Sequence, residues 1–182
     1  MDRLQLTKKQ LLALFLVLVV FVVAGFFVYT FQVNQQLDNS AAGRAFSEVG
    51  NSSLVDQNGQ PVSLDVRDRQ VTMVAFWATW APQSAELLSV IDTVASAGEF
   101  SEIRFLAVNR DEPRPRVEAY FNTISQPTTV EIVTDTSDEL FSSIESYAMP
   151  EVVVFDREGD IVWRSRGEVI ESELRAALRE TL

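Results

Sequence analysis

Few side chains in this sequence can do covalent chemistry. The 182 residues contain no cysteine and no histidine. A thiolate nucleophile, a disulfide, a thiolate zinc site, a Ser-His-Asp triad and a His-ligated metal are therefore all beyond these residues. Hydroxyls, carboxylates, two lysines (Lys8 and Lys9) and backbone groups remain. A hydrolytic or acid-base site would have to be built from Ser84, Glu86, Asp111 and Glu151. A free serine hydroxyl is too weak an acid to ionise near neutral pH, and its usual activating base is missing. Asp135, Asp138 and Glu139 lack the loop spacing of an EF-hand and read better as helix capping over Asp135 to Ser137. No metal and no cofactor is expected.

Formal net charge is -11, and it is unevenly spread. Up to residue 33 the chain carries Arg3, Lys8 and Lys9 against Asp2; beyond it, 12 basic residues face 25 acidic ones. Nucleic-acid binding requires a basic surface that displaces counterions from phosphates, so this excess excludes that class of partner. A solvated, soluble surface is the plain reading of the acidity, and an acidic docking patch for a basic partner is the alternative.

The elements that would position any site begin at the amino terminus. Leu11 to Phe31 reads LLALFLVLVVFVVAGFFVYTF without a charge; as a helix rising about 1.5 Å per residue, it matches a bilayer core. The run exceeds the apolar stretch of a cleaved signal peptide, although Ala41-Ala42 resembles a cleavage site. Basic residues precede the run, and Arg44 is the first basic residue after it. Residues 1–10 are thus expected in the cytoplasm, residues 11–31 as a transmembrane helix acting as a signal anchor, and the rest outside the cytoplasmic membrane. Residues 32–45 (QVNQQLDNSAAGRA) are small and polar and read as a flexible linker. A globular domain is expected over 46–182.

Within it, Asn58-Gly59 marks a hairpin across Ser53 to Asp65. Val71 to Trp77 (VTMVAFW) is almost continuously apolar and suits a central strand buried on both faces. Pro82 to Ala97 carries Leu87, Leu88, Ile91 and Val94 at helical spacing, with Pro82 placed in the first turn. Further strands are expected at Ile103 to Asn109 and Thr129 to Val133, and helices at Val117 to Ile124 and Ser137 to Ser146. A hairpin from Glu151 to Arg164 and a helix from Glu171 to Arg179 close the chain. The alternation predicts an α/β class with a mixed sheet and helices on both faces.

Val74 to Leu87 (VAFWATWAPQSAEL) resembles the active-site strand and helix of the thioredoxin superfamily. It is closest to the membrane-anchored TlpA-like, or redoxin, branch, which reads F-W-A-T-W-C-P-P-C; Phe76, Trp77, Ala78, Thr79, Trp80 and Pro82 match. N-G-Q-P-V-S-L before it and Y-A-M-P-E-V-V-V-F-D-R-E-G-D-I-V after it resemble the family's hairpin and its late strands. The resemblance covers about Phe46 to Leu182 and implies a thioredoxin-like fold, a central mixed β-sheet flanked by helices, preceded here by one transmembrane helix.

The family exchanges disulfides through a thiolate whose pKa is lowered at a helix amino terminus. Its two cysteine positions are Ala81 and Ser84 here, and the buried acid that many members place before F-W is Ala75. The resemblance also makes Met149-Pro150 the family's cis-proline pair, with Met149 free to add a peptide strand, although Glu151 stands where threonine is usual. The expected site is a groove of Trp80, Ala81, Pro82, Ser84, Met149 and Pro150 that takes an extended peptide or protein client without catalysis. The alternative is a cysteine-replaced form of a thiol-disulfide oxidoreductase. Trp77 is expected in the core, Glu86 on the surface and Arg110 to Arg116 (RDEPRPR) as a proline-stiffened loop and helix start.

Overall fold

The computed structural model of the chain describes residues 14–30, 46–48, 53–66 and 70–182. It divides into two compact units, Met1–Asp38 and Asn39–Leu182. In the first, residues 14–30 are helical (α1), and their large apolar side chains are exposed on every face. Among the described residues no helix is long and apolar enough to cross a membrane. The expected cytoplasmic tail, residues 11–13 and 31 of the expected span, and the linker at 32–45 lie outside the described residues.

The second unit is built on a six-stranded mixed sheet in the order β1-β4-β3-β2-β5-β6. Its strands are β1 Leu54–Asp56, β2 Thr72–Trp77, β3 Arg104–Arg110, β4 Glu131–Asp135, β5 Glu151–Phe155 and β6 Ile161–Arg166. β3 runs parallel to β2 and β4, while β5 is antiparallel to β2 and to β6. Four helices cover it: α2 Ser84–Ser96, α3 Arg114–Phe121, α4 Glu139–Ser143 and α5 Glu171–Thr181.

The unbroken apolar character of β2 has a direct cause. Met73, Ala75 and Trp77 face one core, with Leu88 and Ile91 of α2, Val117 of α3 and Leu174 and Leu178 of α5. Val74 and Phe76 alternate onto the other core, with Phe46, Leu140, Phe141 and Ile144. A strand that is covered on both sides has no solvent face on which to place a polar residue. β5 repeats the pattern, Val152 and Val154 on one side and Val153 and Phe155 on the other. The expected mixed sheet with helices on both faces is the observed architecture.

The differences from expectation lie at element ends. α2 begins at Ser84, so Pro82 stands in the turn before the helix rather than in its first turn. α3 starts three residues earlier than expected, because Pro115 occupies its first turn, where proline's fixed φ fits and its missing N–H costs nothing. α4 is half the expected length; it ends at Ser143, and Glu145 turns out of it with φ 55°. At the hairpin, Gly59 takes φ 79°, which favours a residue without a Cβ, and the Asp56 carboxylate accepts the N–H groups of Asn58 and Gln60.

The two faces of α2 differ in what they stabilise. Leu88→Ala opens a cavity in a fully buried position and is expected to lower unfolding free energy by about 2–5 kcal/mol, whereas Glu86→Ala on the exposed face changes it by less than about 0.5 kcal/mol. Denaturant titration of the full chain, followed by tryptophan fluorescence, measures both.

Candidate functional site

The register of β2 against β5 brings the two halves of the expected groove to one end of the sheet. Phe76 pairs with Glu151, so the chain leaving β2 at Trp77 and the Met149-Pro150 step entering β5 share that end. The Met149-Pro150 peptide bond is cis, as the resemblance implied. Pro150 is buried and Met149 half-buried, and its side chain packs against the Phe76 core. Among the described residues, the main-chain N–H and C=O of Met149 have no hydrogen-bond partner.

Between β2 and α2 the chain makes two tight turns. Ala81 N–H donates to the Ala78 carbonyl at 3.1 Å, and Ser84 N–H donates to the Ala81 carbonyl at the same distance. Both residues at the family's cysteine positions point inward, Ala81 at 2% and Ser84 at 0% exposure. The Ser84 hydroxyl accepts the Ala78 N–H at 3.2 Å. It braces the loop from within and has neither the exposure nor the activating base of a nucleophile. Trp80 stands out from this loop, 60% exposed, and Pro82 beside it is exposed too. Trp77 is fully buried, stacked on Tyr120 and against Phe121; its indole N–H is buried without a partner among the described residues.

The acidic candidates are not assembled into a site. Glu86 is exposed on α2 and Asp111 is exposed in the β3–α3 loop. Glu151, in register with Phe76, belongs to the opposite face of the sheet from α2. Asp135 is buried and uses its carboxylate on the N–H groups of Ser137 and Leu140, the helix-capping role expected of it. Asp138 is paired with Arg110.

Two features escaped the sequence. The first is Glu112, buried in the stretch that reads as a proline-stiffened loop. Its carboxylate accepts the Thr79 N–H at 2.7 Å, the Thr79 hydroxyl at 2.6 Å and the Asn109 amide at 2.8 Å. Asp111, at φ 37°, turns the chain so that the next residue reaches back to the loop that carries Trp80. Tyr120 lies close enough that burial first, and the Glu112 charge second, raise its phenol above the ordinary value. A loop acid three residues after an asparagine is too common a pattern to mark this role; only the approach of β3 to β2 reveals it.

The second is a charged cluster behind Pro150. Glu151 is completely buried, facing Arg164 at 3.2 Å and Arg166 at 3.4 Å on the neighbouring strand. Both carboxylate oxygens lack a well-formed hydrogen bond. Burial lowers the Arg164 pKa and the opposing Glu151 charge raises it, with burial the larger effect. Gly167 N–H donates to the Pro150 carbonyl at 2.8 Å and ties the end of β6 to the cis-proline.

Removing Glu112 strands the buried Asn109 amide and the part-buried Thr79 N–H, so Glu112→Ala is expected to cost about 1–3 kcal/mol. The diagnostic is local: amide exchange at Thr79 to Ala81 accelerates, while the amides of Met73 to Phe76 stay protected.

Comparison with known proteins agrees with this architecture. The chain is similar to MTB DsbF, with a TM-score of 0.64 and 19% identity over 74% of this chain and 97% of that one. It is similar to a secreted Mycobacterium tuberculosis disulfide oxidoreductase homologous to E. coli DsbE, with a TM-score of 0.61 and 12% identity over 73% and 98%. StoA from Bacillus subtilis gives a TM-score of 0.59 at 20% identity over 69% and 93%. At these identities the structures establish the thioredoxin-like fold alone. The Redoxin family model matches residues 36–178, and the chain, a thioredoxin-like α/β domain without a cysteine, belongs to the Redoxin family.

Proposed function

We propose that this protein is a membrane-tethered, extracytoplasmic redoxin domain that holds an extended peptide or protein client at its former active site without exchanging electrons with it. The observation that supports the reading is an exposed Trp80 together with a Met149 backbone whose N–H and C=O have no partner among the described residues. An extended segment can add to such a free backbone edge as a strand, and an exposed indole offers a large apolar surface beside it. Ala81, Pro82, Ser84 and Pro150 form the remaining lining. Ala81 has no reactive atom, and Ser84 is committed to the Ala78 N–H, so the groove keeps the shape of a disulfide-exchange site while lacking the electron-pair donor that the reaction needs.

The tether rests on the uncharged run Leu11 to Phe31 with its basic flank at Arg3, Lys8 and Lys9, and on the helix over 14–30, apolar all round. It would place the carboxy-terminal domain outside the cytoplasmic membrane. A second reading has support of its own. Alanine and serine are small enough to occupy two buried cysteine positions without disturbing the loop, and one of the similar structures is that of a disulfide oxidoreductase; the chain would then be the cysteine-replaced form of a working oxidoreductase.

The native chain is expected to give no turnover in insulin-disulfide reduction, and measurable turnover would sink the first reading. Ala81→Cys with Ser84→Cys separates the two: vigorous reductase or oxidase activity in the double variant favours the replaced enzyme, and its absence favours a binding module. Crosslinked clients pulled from membranes are expected to drop when Trp80 and Met149 are both changed to alanine.

A further inference from the structure

The acidic surface of this domain pairs its arginines closely. Arg104 with Glu131, Arg110 with Asp138, Arg114 with Glu118, Arg157 with Glu102, and Arg175 and Arg179 with Glu99 and Glu171 are all ion pairs near or at the surface. The cluster behind Pro150 departs from this balance. There, two guanidinium groups share the single buried carboxylate of Glu151. Glu145 bears on Arg164 from longer range and forms no ion pair among the described residues.

Of the two arginines, Arg164 is satisfied: one terminal nitrogen faces Glu151 and the other donates to the Ile144 carbonyl at 3.0 Å. Arg166 is not. Its Nε faces Glu151, its guanidinium carbon sits 4.3 Å over the ring of Tyr147, and neither terminal nitrogen has a hydrogen-bond partner among the described residues. Its side chain is one-third exposed, and Tyr147 is 77% exposed. Two contacts therefore hold the guanidinium plane in place while its forked edge stays open. A planar fork fixed in advance loses little freedom when it binds a carboxylate in two-pronged fashion. The position is equally specific: Arg166 is the register partner of Glu151, next to Pro150, and Tyr147 is two residues before Met149.

We propose that Arg166, stacked on Tyr147, is the subsite that receives the carboxylate of an acidic side chain in the extended client. This deepens the binding reading of the same groove and rests on it. Glu151, buried where the family usually has threonine, acts as the positioning residue: its charge opposes Nε at 3.4 Å and leaves the two terminal nitrogens open among the described residues. Trp80 offers an apolar station on the active-site loop, and Arg166 a charged one behind the cis-proline. Specificity in a domain with so many more acids than bases then comes from this local cation, since an acidic peptide is disfavoured by the rest of the surface and, among the described residues, the other arginines each face a carboxylate.

The test uses the full chain, fluorescently labelled, on an array of end-capped octapeptides in which a single Glu, Gln or Lys moves along a frame of Ala, Val and Ser. The native chain is expected to prefer Glu over Gln by about tenfold at one position in the frame, the difference made by a charge-assisted, two-pronged contact. Arg166→Gln removes that preference and leaves binding of the Gln peptides unchanged. Arg166→Lys keeps the positive charge facing Glu151 but lacks the fork, so its preference falls to a few-fold; it also supplies the comparison if the glutamine variant folds poorly. Equal binding of Glu and Gln peptides by the native chain, or a preference that survives Arg166→Gln, overturns the proposal and leaves the groove standing. Failure of the native chain to bind any peptide removes the groove reading, and this one with it.

Discussion

The register between β2 and β5 is the constraint on which the rest of this molecule depends. Because Phe76 lies opposite Glu151, the chain that leaves β2 and the chain that enters β5 emerge at the same end of the sheet. That register is specified by packing. A slip by one residue would turn Met73, Ala75 and Trp77 toward the wrong core, and Val74 and Phe76 with them, so every buried side chain on the strand would lose its partners at once. The meeting of these two segments at one end of the sheet is thus a consequence of a strand with two buried faces, and it needs no cysteine.

What the cysteines would have added is chemistry rather than shape. The turns at Ala78 to Ser84 close through backbone hydrogen bonds and the Ser84 hydroxyl, and Glu112 clamps Thr79 from the neighbouring loop. Each contact fixes where Trp80 stands. An oxidoreductase needs that rigidity to aim a thiolate; a binding module needs it to present a preordered surface at little cost in conformational entropy. The same scaffold suits both, which is why fold alone does not assign function here.

Charge completes the picture on the other side of the cis-proline. A carboxylate taken wholly out of water is costly unless cations oppose it, and Glu151 is opposed by two. Local neutrality would need only one. The second guanidinium, that of Arg166, is held against the exposed ring of Tyr147, so an electrostatic cost inside the fold leaves a partly exposed cation at its surface.

Much of this was legible in the residues themselves. Unbroken apolar runs marked β2, β3 and β5, periodic leucines marked α2, and the absence of cysteine and histidine limited the chemistry. The turn that carries Trp80, Ala81 and Pro82 into α2 at Ser84, and the cis Met149-Pro150 bond, were also legible, through motif resemblance. Local sequence could not reveal that the Ser84 hydroxyl turns inward to Ala78, that Glu112 reaches back 33 residues to Thr79, or that Glu151 meets Arg164 and Arg166. Periodicity and turn chemistry act between near neighbours, and composition sums over the whole chain. A long-range polar contact depends instead on which strands lie side by side and in what register, and only the packing of both cores decides that.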